Sequence, residues 1–178
     1  MATLLVLHIQ RDKIMKTRDL VVIAMMAAIL FVAQVALSFI PNIELVTLLI
    51  MIYTLVMGRK TIFAIYVFAL LEGLFYGFGI WWIMYLYVWT ILYFVVSIFG
   101  KQEGVLGWGL IGGFFGLFFG TLCSIPYFFI GGIGAGLAWW GAGLLYDVLH
   151  GVGNFVVILC LFKPIYNVIK KLYAAGSS

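Results

Sequence analysis

Three polar residues recur along one line of an otherwise apolar segment. In YDVLHGVGN (146–154), Asp147, His150 and Asn154 fall at i, i+3 and i+7, a spacing that puts side chains on one face of an α-helix. A carboxylate, an imidazole and an amide in register could hold a polar solute or move a proton. A further acid, Glu72, interrupts the apolar run at 61–79. In WWIMYLYVW, Trp82, Tyr85 and Trp89 repeat the same spacing with aromatic rings. An aromatic wall facing acids and amides would suit a planar, polar organic ligand. The short stretch PNIE adds Asn42 and Glu44.

The elements that must position these groups follow from composition. The chain has 178 residues, 66% of them hydrophobic and 9% charged, whereas soluble domains are about 25% charged. Water cannot be the main solvent. The expectation is an all-α integral membrane protein forming one compact bundle. A helix crossing the hydrocarbon core needs about 20 apolar residues. Six stretches fit or nearly fit, at 20–40, 45–58, 61–79, 82–99, 105–127 and 141–163, of which the second is short.

The basic residues order these spans. Arg11, Lys13, Lys16 and Arg18 precede the first; Arg59 and Lys60 separate the second from the third; Lys101 separates the fourth from the fifth. Lys163, Lys170 and Lys171 end or follow the sixth. The connections around 41–44, 77–82 and 128–140 contain neither Lys nor Arg. By the positive-inside rule both termini are expected in the cytoplasm, with a multi-pass topology in a cell membrane. One-sided placement also removes the nucleic-acid partner that a net charge of +4 would otherwise suggest. The expected organisation is a cytoplasmic lead-in at 1–19, a six-helix membrane domain at 20–171 and a disordered tail at 172–178. The segment before Met15 lacks the core and cleavage site of a signal peptide. His8 within it reads as solvated, and Met1 and Met15 are both candidate starts.

Small residues mark helix contacts in lipid, where apolar surface alone gives no reason to associate. Gly112, Gly116 and Gly120 form a double GxxxG ladder, and Gly73 with Gly77 repeats it. Pro41 is expected to close the first helix and Pro126 to kink or end the fifth. GGIGAGLAWWG (131–141) reads as a glycine-rich outer connection, its Trp139 and Trp140 favouring the headgroup level. It does not match a dinucleotide fingerprint, because no glycine follows Gly132 and Gly134 at the needed place. Cys123 and Cys160 lie in apolar runs and read as buried free thiols.

The acids lie deep. At the helical rise, Glu72 is about 16 Å from the cytoplasmic side, and Asp147, His150 and Asn154 are about 9, 14 and 20 Å from the outer side. An uncompensated ionised carboxylate there costs at least ~2.5 kcal/mol. The outer part of the bundle holds no Lys or Arg to offset this, so a solute site open to the outside would account for it. Structural roles stand beside that reading. Asp147 and His150 could pair with each other, Glu72 could be a protonated structural acid, and Asn154 could bond a neighbouring helix. The aromatic stripe could be packing or a headgroup belt. Nucleotide-binding, HExxH and GxSxG motifs are absent, and one intramembrane His cannot build a multi-His metal site. No cofactor, metal or catalytic machinery is expected, and active transport would need partners.

From about Thr17 to Lys171 the chain resembles the substrate-binding S components of energy-coupling factor (ECF) transporters. The likeness rests on size, on the six spans and on a first helix reading RDLVVIAMMAAILFVAQ, whose Ala24 and Ala28, with Ala27 alongside, match the family's AxxxA-type motif. The resemblance implies that this motif slides on a membrane-embedded T subunit, with two cytoplasmic ATPases completing the complex. It implies delivery of a water-soluble vitamin by toppling. It also implies an outer pocket built from the first and third outer loops, the connection carrying Trp139 and Trp140, and helices four and six. SFIPNIELVTLLIMIYTLV resembles members associated with cobalamin, while the paired acids would equally suit a pyridoxine-like or pyrimidine vitamin precursor. Two rival classes remain: a self-sufficient channel, against which FVVILCLF (155–162) offers no polar lining, and an intramembrane enzyme using Asp147 and His150 as an acid–base pair.

Overall fold

The computed structural model describes residues 15–175. His8 and the rest of 1–14, and the last tail residues, 176–178, lie outside the described residues. Five helical elements and no strand are found among those described: α1 (Thr17–Leu37), α2 (Val46–Met57), α3 (Lys60–Tyr76), α4 (Ile80–Ile98) and α5 (Val105–Ala175). Three of them, α1, α4 and α5, are long and apolar enough to cross a membrane, and α2 is a shorter apolar helix. The outer surface matches that character. Phe129 is 86% exposed and Ile98 77%, and a continuous apolar exterior of this kind belongs against lipid or a partner.

Local chemistry sets the ends of these helices. The Lys16 backbone N–H donates to the Asp19 carboxylate at 3.1 Å, which also places a negative charge at the positive end of α1. The helix stops at Leu37, before Pro41, and the Ser38 hydroxyl donates to the Val35 carbonyl at 2.9 Å. The loop then turns through Asn42 at φ 57°, a left-handed conformation that asparagine tolerates better than most residues. At the far side of α3, Gly77 at φ 86° ends the helix. Gly77 therefore acts as a stop, not as the second rung of a packing ladder. Gly73 does pack: an added Cβ there would lie 2.8 Å from the Trp82 Nε1.

The short second span has a structural explanation. α2 is buried from Val46 through Thr54 and packs against α3, α4 and α5. A helix apolar on all sides belongs in the centre, and one shielded from lipid need not match the bilayer's thickness.

The longest element corrects the expected outer connection. Residues 128–140 are helical except at Gly132, whose φ 74° and ψ −173° break α5 into limbs at 105–131 and 133–175. The limbs fold back on each other. A Cβ on Gly116 would lie 2.8 Å from the Gly151 Cα and from the His150 carbonyl oxygen, and one on Gly113 3.3 Å from the Gly151 carbonyl oxygen. Gly112 faces Ile158, and Gly120 faces Asp147. The glycine ladder is thus an intramolecular seam. In an apolar solvent every unsatisfied backbone group is costly, and a one-residue break leaves far fewer of them than a thirteen-residue loop would. Pro126 and Pro164 are both accommodated inside the helix. The second limb runs to Ala175, so residues 172–175 of the expected tail are helical.

At one end of the bundle, Lys60 Nζ lies 2.6 Å from Asp19 Oδ1 and 2.7 Å from the Tyr173 hydroxyl. Arg18 donates to the Tyr173 carbonyl at 3.2 Å. These contacts gather the starts of α1 and α3 and the finish of α5. The loop 38–45 closes the opposite end.

Candidate functional site

A cavity of about 460 Å³ lies beneath the loop 38–45. Its polar groups come from four elements: Gln34 of α1, Ser38, Asn42 and Glu44 of the loop, Glu72 of α3 and His150 of α5. Its apolar wall is aromatic, with Tyr76 of α3, Trp81, Tyr85 and Trp89 of α4, and Phe119 of the first limb. Six expected site residues therefore meet here: Asn42, Glu44, Glu72, Tyr85, Trp89 and His150.

The aromatic wall is a ladder of edge-to-face contacts, with Trp81 to Tyr85 at 5.4 Å and Tyr85 to Trp89 at 5.6 Å. Such pairs hold ring planes rigidly. Trp82 is not part of it. Its indole N–H donates to the Ala69 carbonyl at 2.8 Å, tying α4 to α3. Relative to Tyr85, positions 81 and 82 lie only about 40° and 60° off axis, so spacing alone could not choose between the adjacent tryptophans.

Glu44 is fully engaged. Its Oε1 lies 3.3 Å from His150 Nε2, and its Oε2 accepts the Thr47 backbone N–H at 2.8 Å, capping α2. Burial pushes this carboxyl upward, but the His150 and Thr47 contacts outweigh it and hold the group below its ordinary value. His150 is fixed from behind by Phe119, edge-on at 4.7 Å. The loop is thereby fastened to both α2 and α5.

Glu72 is not engaged. It is 2% exposed and its Oε1 has no hydrogen-bond partner. Gln34 donates to the Tyr85 hydroxyl at 3.3 Å, yet its own Oε1 is buried and unpartnered, as is the Trp89 indole N–H. All three groups line the same hollow. Unmet buried polar atoms are rare in native proteins and call for a reason.

The line of Asp147, His150 and Asn154 does face inward as the spacing required, all three being buried. Their partners nevertheless differ, and Asp147 and His150 do not pair. Asp147 is sealed in the α5 seam, where its Oδ1 accepts the Gly120 N–H at 2.8 Å. Asn154 donates to the Thr47 hydroxyl at 3.2 Å and holds α2 to α5. Trp139 stacks on Tyr127 at 4.9 Å, and the Trp140 N–H donates to the Thr121 hydroxyl at 3.0 Å. Asp147, Asn154, Trp82, Trp139 and Trp140 thus lie outside the cavity lining. Asp147→Ala is expected to cost about 1 kcal/mol of stability, since it removes the hydrogen bond that the Gly120 N–H makes across the seam. Thermal unfolding in detergent measures this, with solute affinity per folded molecule unchanged.

Sequence reasoning missed Gln34, Ser38, Tyr76, Trp81 and Phe119. Gln34 carried a usable signal as the amide within the first apolar span; Phe119 is one aromatic among 16 phenylalanines and carried none. Cys123 is buried as expected, but Cys160 is exposed on α5. Among the described residues no three His, Cys, Asp or Glu side chains gather into a metal site.

Fold and site together describe an all-helical protein with long apolar helices and a solute-sized, aromatic and acidic hollow at one end. No protein-family model, curated protein or solved structure matches the chain.

Proposed function

We propose that the chain is the substrate-binding S component of an ECF-type importer in a bacterial plasma membrane, capturing a water-soluble vitamin from outside. The observation that carries this reading is the buried Glu72 carboxylate, whose Oε1 is unpartnered beside a hollow of about 460 Å³. Intramembrane ionisable groups default to function, and binding sites are concave, mostly apolar and equipped with a few convergent polar groups. The break at Gly132 supports six spans instead of five. The cluster of Arg18, Lys60 and Tyr173 supports both termini sharing a side, taken as cytoplasmic by the positive-inside rule. The cavity then opens outward.

Ala24 and Ala28 are exposed on α1, available to a T subunit, whereas Ala27 is fully buried and belongs to the core. Delivery by toppling would require that T subunit and two cytoplasmic ATPases. The cavity volume lies in the lower half of the usual range for ligand sites, about 300–1,000 Å³. It favours a compact ring-bearing vitamin, pyridoxine-like or pyrimidine-like, over cobalamin. Affinity purification from native membranes tests the assignment. The chain should retain a T subunit and two ATPases, and mass spectrometry should find a small solute released on denaturation. Uptake by liposomes containing the chain alone would replace this reading with the facilitator.

A further inference from the structure

The inventory of unmet groups in the cavity specifies a ligand class, an inference that rests on the cavity being the importer's solute site. Two acceptors, Glu72 Oε1 and Gln34 Oε1, and one donor, the Trp89 N–H, are buried without partners and line the same hollow. Of the two acids there, Glu44 already has His150 and Thr47 as partners, which leaves Glu72 as the free carboxylate. The lining contains no Lys or Arg. Trp81, Tyr85 and Trp89 stand along one wall, and aromatic faces attract cations most strongly where water is excluded.

We infer that the cavity binds a compact heteroaromatic solute carrying a protonated nitrogen, with the ammonium or ring N–H at Glu72 and Gln34 and a ring acceptor at the Trp89 N–H. The charge on such a ligand offsets the carboxylate that the protein itself leaves uncompensated. A neutral ring would satisfy the hydrogen bonds but not the charge, and an anion would add a second negative group beside the first. The anion is disfavoured because two like charges in a weakly polar site repel strongly, and the neutral ring because it leaves a buried carboxylate charge unpaired.

A matched series of probes separates these cases. The full chain in lipid nanodiscs is titrated with 4-(aminomethyl)pyridine, 4-(hydroxymethyl)pyridine and pyridine-4-carboxylate, which share one ring acceptor and differ in the charge of a single arm. Quenching of intrinsic tryptophan fluorescence reports binding. The aminomethyl compound is expected to bind at least about tenfold more tightly than the hydroxymethyl one. Glu72→Gln, which keeps shape and removes the charge, is expected to erase that preference while leaving the thermal unfolding midpoint near that of the parent chain. Equal or tighter binding of the neutral or anionic probe, no binding of any of the three, or an undiminished preference in Glu72→Gln would overturn the inference. Such a failure with T-subunit capture intact would strike the ligand class alone. Loss of capture with cation selectivity intact would strike the importer reading instead.

Discussion

Ala24→Trp is expected to bind solute as the parent chain does and to lose about nine-tenths or more of its uptake when reconstituted with a T subunit and ATPases, because small residues permit the close helix approach on which such contacts depend. Ala24 and Ala28 stand one turn apart on the outward side of α1, beside Met25 at 60% exposure and Val32 at 62%. This face contributes nothing to the cavity, which α1 reaches only from Gln34 onward. An indole at position 24 would therefore hold a partner helix away without disturbing the site. Ala27 makes the contrast. It is 0% exposed, so Ala27→Trp would overpack the core and lose folded protein, binding and uptake together. Uptake of the radiolabelled solute in proteoliposomes, set against binding by the solitary chain, measures the separation. Full uptake by Ala24→Trp would remove α1 from the coupling surface.

Gly116→Val is expected to cost several kcal/mol, on the order of 3 or more, and to prevent recovery of monodisperse protein. At Gly116 an added Cβ would lie 2.8 Å from the Gly151 Cα, the Gly151 nitrogen and the His150 carbonyl oxygen. Those are backbone atoms and cannot swing aside as a side-chain end can. Separating the limbs there would also draw His150 away from Glu44 and release the loop over the cavity. Gly141→Ala and Gly143→Ala are the controls. Nothing lies within 4 Å of a Cβ at either position, and alanine in a helix is favoured over glycine by roughly 0.5–1 kcal/mol. Thermal unfolding with size-exclusion chromatography should order the three variants. Equal recovery of Gly116→Val would mean that the limbs do not approach as closely as the seam requires.

The two predictions concern features with unequal visibility in the sequence. The small-residue face of α1 and the glycine ladder could both be read from spacing, because close approach demands small side chains wherever a helix meets a neighbour. Spacing did not reveal which neighbour each meets. Ala27, adjacent to the exposed pair, turned inward, and Gly77 became a helix stop. The 128–140 stretch misled for a related reason. Its glycines suggested a loop, yet one left-handed residue, Gly132, was enough to reverse the chain while its neighbours kept their helical hydrogen bonds.

By itself the sequence determined that the chain is helical and strongly apolar, that its cationic side chains fall on one side of the expected spans, and that Asp147, His150 and Asn154 share one inward-facing line. Periodicity fixes the direction of a side chain about its own helix axis, and that much is local. The tertiary structure alone decided what stands opposite: a glycine amide for the Oδ1 of Asp147, the loop's Glu44 for His150, the Thr47 hydroxyl for Asn154, and no partner for the Oδ2 of Asp147 or the Oε1 of Glu72. Those pairings depend on which helices come together and at what height, which is a property of the packed bundle and of no single segment.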